Sequence, residues 1–84
     1  MPNPFTLDSH LSYMLERAGR VRLALHDASG RRLVTLAEGW REAGLHEARW
    51  DGRDAAGRLM PTGVYLAVLE AGGVRVSRKI ARVR

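Results

Sequence analysis

Residues 44–69 constrain the fold of this chain more than any other stretch. Gly44-Leu45-His46-Glu47-Ala48-Arg49-Trp50 alternates between two faces and ends in an indole. A polar run follows, Asp51-Gly52-Arg53-Asp54-Ala55-Ala56-Gly57-Arg58, with two aspartates placed where turns use them. Then Gly63-Val64-Tyr65-Leu66-Ala67-Val68-Leu69 is apolar in both phases. Period-two alternation indicates a half-buried strand, and an apolar run without alternation indicates a strand covered on both sides. The stretch therefore reads as a central hairpin. His46, Ala48 and Trp50 share one face of its first strand, and its second strand, with Tyr65, Ala67 and Leu69 on one face, lies mid-sheet. Trp50 and Tyr65 flank the loop and are expected to anchor the core, because an aromatic pair fills a large share of a small interior.

The remaining segments are read as layers around that hairpin. Residues 3–10 form an irregular or edge entry. From Leu11, Tyr13 and Leu15 alternate with Ser12, Met14 and Glu16, and Val21, Leu23 and Leu25 alternate with Arg22, Ala24 and His26. Asp27-Ala28-Ser29-Gly30 is a tight turn, since Asp caps nearby backbone N–H groups and Gly takes the positive φ. A third strand covers about 32–36, and residues 37–44 form a glycine-bounded connection. Ala71-Gly72-Gly73 turns the chain again. A last strand over 74–83 shifts phase between Ile80 and Val83, which suggests a bulge or twist. Asp27-Ala28-Ser29-Gly30-Arg31 and Asp54-Ala55-Ala56-Gly57-Arg58 are nearly one pentapeptide used twice. Six or seven short strands with regular turn signals make an all-β antiparallel sandwich.

Eighty-four residues suffice for one domain with a small stability margin. Cysteine is absent, so disulfides and thiolate metal sites are excluded. No apolar run approaches the roughly 20 residues of a membrane-spanning helix, and the N-terminus lacks the basic and apolar regions of a signal peptide. The net charge of +5 is local: Arg75, Arg78, Lys79, Arg82 and Arg84 carry the whole excess.

No group of residues has the spacing of a reactive site. Asp27, Asp51 and Asp54 lack the calcium-loop pattern and suit turns. His10, His26 and His46 are far apart, and His46, on the Trp50 face, is expected to be packed or hydrogen-bonded. Ser9, Ser12, Ser29 and Ser77 lack a nucleophile-elbow setting. A sandwich this small has little room for a substrate cavity. No metal or cofactor is expected. Trp40, between glycine and charged residues, is either a lid over one end or an exposed binding anchor, with the lid favoured. The basic last strand lacks aromatics, so base stacking is unsupported and nucleic acid is not the expected partner, with polyanion binding through its charges left as a third reading. Its charges suit an edge strand kept unpaired or a partner's docking site.

Pro2-Asn3-Pro4-Phe5, Leu11-Ser12-Tyr13-Met14-Leu15, Ala18-Gly19-Arg20-Val21-Arg22-Leu23, Asp27-x-x-Gly30-Arg31 and Ala43-Gly44-x-His46 occur in family order. Trp50-Asp51-Gly52-Arg53-Asp54-x-x-Gly57, Gly63-Val64-Tyr65 and Arg78-Lys79-Ile80 continue it. Together they resemble the immunoglobulin-like domain at the C-terminus of the flagellar hook-capping protein. They are also similar to the C-terminal sorting domains of secreted bacterial proteins, including type IX substrates. Thr6-Leu7-Asp8-Ser9 departs from the family's usual continuation after Phe5.

The resemblance implies a non-enzymatic immunoglobulin-like β-sandwich. It would be secreted or surface-located through the periplasm, with secretion or surface-anchoring proteins as partners and a cargo domain in the parent chain. Arg78, Lys79, Ile80 and Arg82 would meet the partner. The alternative is a hook-cap-like assembly module that contacts identical subunits through edge strands or Trp40. Met1 is read as an added start and Pro2 as the beginning of a domain excised from a larger exported protein.

Overall fold

The computed structural model describes residues 9–82, and every regular element among them is a β-strand. In chain order these are β1 (Ser9–Leu15), β2 (Gly19–His26), β3 (Arg32–Arg41), β4 (Gly44–Trp50), β5 (Gly63–Ala71) and β6 (Val74–Arg82). They form a two-stranded sheet, β1-β4, and a four-stranded sheet, β3-β2-β5-β6, with every pairing antiparallel. The shortest dimension, 19 Å, suits two sheets packed about 10 Å apart with side chains on both outer faces. The architecture is the small immunoglobulin-like β-sandwich expected from the alternation and turn spacing. Among the described residues no helix is long and apolar enough to cross a membrane. The N-terminal motif at residues 2–5, the departure at 6–8 and the phase of Val83 lie outside the described residues.

The stretch 44–69 does not close as a hairpin. β4 pairs with β1, whereas β5 lies between β2 and β6 in the other sheet. The chain crosses between layers through residues 51–62, and an isolated bridge from Arg53 to Leu59 closes the crossing loop on itself. Trp50 and Tyr65 consequently face each other across the interior, ring centroids 5.1 Å apart at 68°, an edge-to-face arrangement. The composition of each strand matches its place. β4 exposes Leu45, Glu47 and Arg49 and turns Trp50 inward, as a strand of a sheet wet on one face does. β5 is central, as expected, and buries Tyr65, Ala67 and Val68, but it is not covered on both sides: Val64 is 53% exposed.

β3 is longer than the pattern predicts, running through Ala37 to Arg41. Its register against β2 shifts twice, so Leu33 and Leu36 are extra residues with no partner opposite. Each such bulge turns a non-alternating run to use: Leu33 is buried, and Val34, Leu36 and Ala37 pack against the same core. β6 shows the reverse. Its ladder with β5 is continuous from Val74 to Arg82, and the bulge or twist expected before Val83 falls at the limit of the described residues.

The core joins Leu11 and Trp50 of the small sheet to Leu23, Leu25, Tyr65 and Ile80 of the large one. Trp50 and Leu25 are its most enclosed side chains, each worth about 1.5–3 kcal/mol or more of apolar transfer.

Candidate functional site

The two related pentapeptides build the same turn. In the first, the Gly30 N–H donates to the Asp27 carbonyl and the Asp27 N–H to the Arg31 carbonyl, both at 2.9 Å. Asp27 Oδ1 accepts from the Ser29 N–H (3.0 Å), the Ser29 hydroxyl (2.7 Å) and the Arg31 N–H (2.9 Å). In the second, Gly57 donates to the Asp54 carbonyl and Asp54 to the Arg58 carbonyl, again at 2.9 Å. Asp54 Oδ1 accepts from the Ala56 N–H (3.0 Å) and the Arg58 N–H (2.9 Å). Gly30 and Gly57 close the turns at φ of 95° and 86°, a region costly to a side chain. Both carboxyls are held below the ordinary carboxylate range. For Asp27 the chief cause is the Ser29 hydroxyl, then the Arg31 N–H; for Asp54 it is the Arg58 N–H, joined by that guanidinium. Asp51 accepts from the Arg53 N–H at 3.0 Å. These oxygens hold turns, and among the described residues no three His, Cys, Asp or Glu side chains gather as metal ligands.

The histidines are apart. His46 stacks on Tyr13, its cross-strand neighbour, with centroids 5.4 Å apart, and its Nε2–H donates to the Glu42 carbonyl at 2.7 Å. The His26 Nδ1–H donates to the Gly30 carbonyl at 2.9 Å. His10, Ser12 and Ser77 are exposed, and Ser29 is engaged by Asp27. On the outer face of the large sheet, Arg22 meets Glu38 (3.5 Å) and Glu70 (3.8 Å), and Arg75 meets Glu70 (3.2 Å). These pairs border a depression of about 240 Å³ floored by Ala24 and Val68, smaller than the usual small-molecule site.

Trp40 is no lid. It stands on β3 opposite Arg20 in the register and is 59% exposed. Its strand is an edge of the large sheet, and among the described residues no further strand pairs beyond it.

β6 forms the opposite edge, and its burial divides it. Residues 74–79 are exposed on both faces of the strand, whereas Ile80 and Arg82 are buried at 4% and 5% exposure. Ile80 lies opposite Tyr65 in the ladder and belongs to the core; Arg82 lies opposite Gly63. Neither side chain can be offered to a partner, so the expected docking quartet reduces to Arg78 and Lys79. Among the described residues Arg82 Nε has no hydrogen-bond partner, an expensive place for a charge. Arg82 is close enough to oppose electrostatically the effect of burial, which pushes the Tyr65 phenol up. That phenol donates to the Pro61 carbonyl and ties the crossing loop to β5. Sequence reasoning missed the exposure of Val74 (61%) and Val76 (45%). Alternation gives the phase of a side chain and carries no signal of whether a second layer lies over it.

Comparison with known proteins places this geometry. FlgD from P. aeruginosa superposes with a TM-score of 0.69 at 25% identity, covering 83% of this chain and 57% of that one. PorZ, an essential bacterial surface component of the type-IX secretion system of Porphyromonas gingivalis, superposes with a TM-score of 0.67. It is 20% identical over 99% of this chain and 11% of its own, which is a likeness of fold alone. No curated protein matches the chain. Residues 5–73 match the family model of the FlgD Ig-like domain, up to the turn before β6. With that match running through five of the six strands, the chain belongs to the FlgD Ig-like domain family.

Proposed function

We propose that this chain is a protein-interaction module, the C-terminal sorting or attachment domain of an exported bacterial protein. In this reading, secretion or surface-anchoring proteins hold it by the open edge of β6, and the cargo is the rest of the parent chain. Its place of action is the cell surface or beyond, reached through the periplasm. One observation carries the reading: an edge strand with six consecutive exposed residues, 74–79, and two cations, Arg78 and Lys79, that no carboxylate neutralises among the described residues. Hydrogen bonding along a sheet edge is an established way to hold an extended partner. The mechanism asks for no reacting group and no cofactor.

The test is charge reversal, since deleting residues 78–84 would also remove Ile80 from the core and confuse unfolding with loss of docking. A secreted reporter fused ahead of the chain is followed with and without Arg78→Glu plus Lys79→Glu. The variant should leave the reporter in the cell or periplasm while its melting temperature stays near wild type. Normal surface delivery of the variant overturns the reading.

A second reading, assembly with identical subunits, is favoured by the indole of Trp40 at 59% exposure on the β3 edge and by the likeness to FlgD. Light scattering separates it: a strict monomer at high concentration counts against self-assembly, and an oligomer lost in Trp40→Ala supports it.

A further inference from the structure

The docking edge has a chemistry of its own. Along β6 the exposed valines and the unpaired cations occupy different halves of one open strand. Val74 and Val76 come first, at 61% and 45% exposure. Arg78 and Lys79 follow, and their ladder partners across β5 are Ala67 and Leu66. Neither partner supplies a carboxylate, so any counter-charge in the plane of the sheet must come from the open side. Arg75 differs, because it already meets Glu70 at 3.2 Å.

A second copy of this strand is a poor occupant. β6 carries Arg75, Arg78, Lys79 and Arg82 and no acidic residue, so self-pairing supplies no counter-charge in any register. Antiparallel self-pairing about its middle sets Arg78 against its own copy, where like charges directly opposite destabilise a ladder. A foreign strand is therefore favoured. Antiparallel pairing is the more stable per residue and continues the direction pattern of this sheet.

We propose that β6 accepts an added antiparallel strand from an acidic partner segment of the pattern acidic-acidic-x-apolar-x-apolar. The two carboxylates stand opposite Lys79 and Arg78, and the two apolar residues opposite Val76 and Val74. The apolar pair shields the exposed valines, and the acidic pair sets register and direction, because a one-residue slip moves every side chain to the wrong face. This rests on the β6 docking reading and names the partner's chemistry.

The probe is a capped peptide, Thr-Glu-Glu-Thr-Val-Thr-Val-Thr, titrated into the isotope-labelled 84-residue chain at low salt and followed by amide chemical shifts. Shifts should concentrate in β6 and β5. Affinity should fall about tenfold for the chain carrying Arg78→Glu and Lys79→Glu. The same variant should then bind the peptide with lysines in place of the glutamates. A peptide with serines for valines should bind more weakly to either chain. No shift at millimolar peptide, equal binding of the lysine peptide by wild type, or shifts centred on β1 or β3 overturns the proposal. So does dimerisation of the chain through β6. Peptide binding with unaltered export of the charge-reversed reporter would sink the sorting reading and leave the strand chemistry standing. Blocked export without peptide binding would do the opposite.

Discussion

The turns at residues 27–31 and 54–58 share their aspartate, their glycine and their backbone hydrogen bonds, yet they do different work. The first joins β2 to β3, strands paired in one sheet. The second sits inside the crossing from the small sheet to the large one. There it reaches outward: the Ala55 N–H donates to the Leu33 carbonyl at 3.0 Å. Leu33 is one of the extra residues of β3, so the loop satisfies an acceptor that the bulge takes out of the ladder. A turn is thus decided by a few neighbouring residues, while its role is decided by what lies across space.

The largest contrast lies in what anchors each loop. The Trp50 indole N–H donates to the Arg53 carbonyl at 2.9 Å and the ring is 1% exposed. On the other loop, His26 makes one exposed bond to Gly30. Trp50→Ala should cost about 3–5 kcal/mol, and His26→Ala about 0.5–1.5 kcal/mol. Urea unfolding measures both. Equal losses would mean that the two loops are not anchored differently.

Next come matched prolines. Ala28 and Ala55 occupy the same turn position, where a proline's fixed φ is welcome. At Ala28 no backbone bond is sacrificed, and the substitution should stabilise by about 0.4–1 kcal/mol through the unfolded chain. At Ala55 it removes the donor to the Leu33 carbonyl and leaves a polar group short of a partner, costing about 1–3 kcal/mol. Opposite signs sharpen the contrast between the loops; two stabilising prolines would show that the Ala55 bond holds nothing.

This contrast also marks how far the amino-acid sequence could be read. The turns were legible, because Asp, Gly and the intervening residues settle them within five positions. The inward phase of Leu23, Leu25, Trp50 and Tyr65 was legible too, since period two is local. Strand partnership was not. The loop at 51–62 looks like a hairpin loop, and only the nonlocal pairing of β4 with β1 shows that it crosses layers. The far half of β3 was hidden because Leu33-Val34-Thr35-Leu36-Ala37 breaks alternation, and two bulges are needed to turn it inward. Of the four β6 residues expected to meet a partner, Arg78 and Lys79 are exposed, as their charge suggests. The burial of Ile80 and Arg82 depended on the extent of the opposite layer, which no residue of β6 encodes.

The smallest effect concerns acid, and it asks whether the turns are equal after all. Asp27 and Asp54 both have folded-state pKa values below their ordinary ones. A lowered folded pKa means that the carboxylate stabilises the fold fully above the unfolded value, about pH 4. That contribution is lost as pH falls through the lowered folded value. Asp27→Asn and Asp54→Asn should therefore each flatten the decline of melting temperature between about pH 4 and pH 2, while the double variant flattens it most. Asparagine keeps an oxygen for the turn N–H groups and removes the charge together with its titration. The Asp54 guanidinium partner stands at 3.0 Å and the Asp27 one at 3.6 Å, so added salt should erode the Asp54 share more visibly. Identical salt sensitivity of the two single variants would place both carboxylates in the same role, held by backbone N–H groups with the arginines as bystanders.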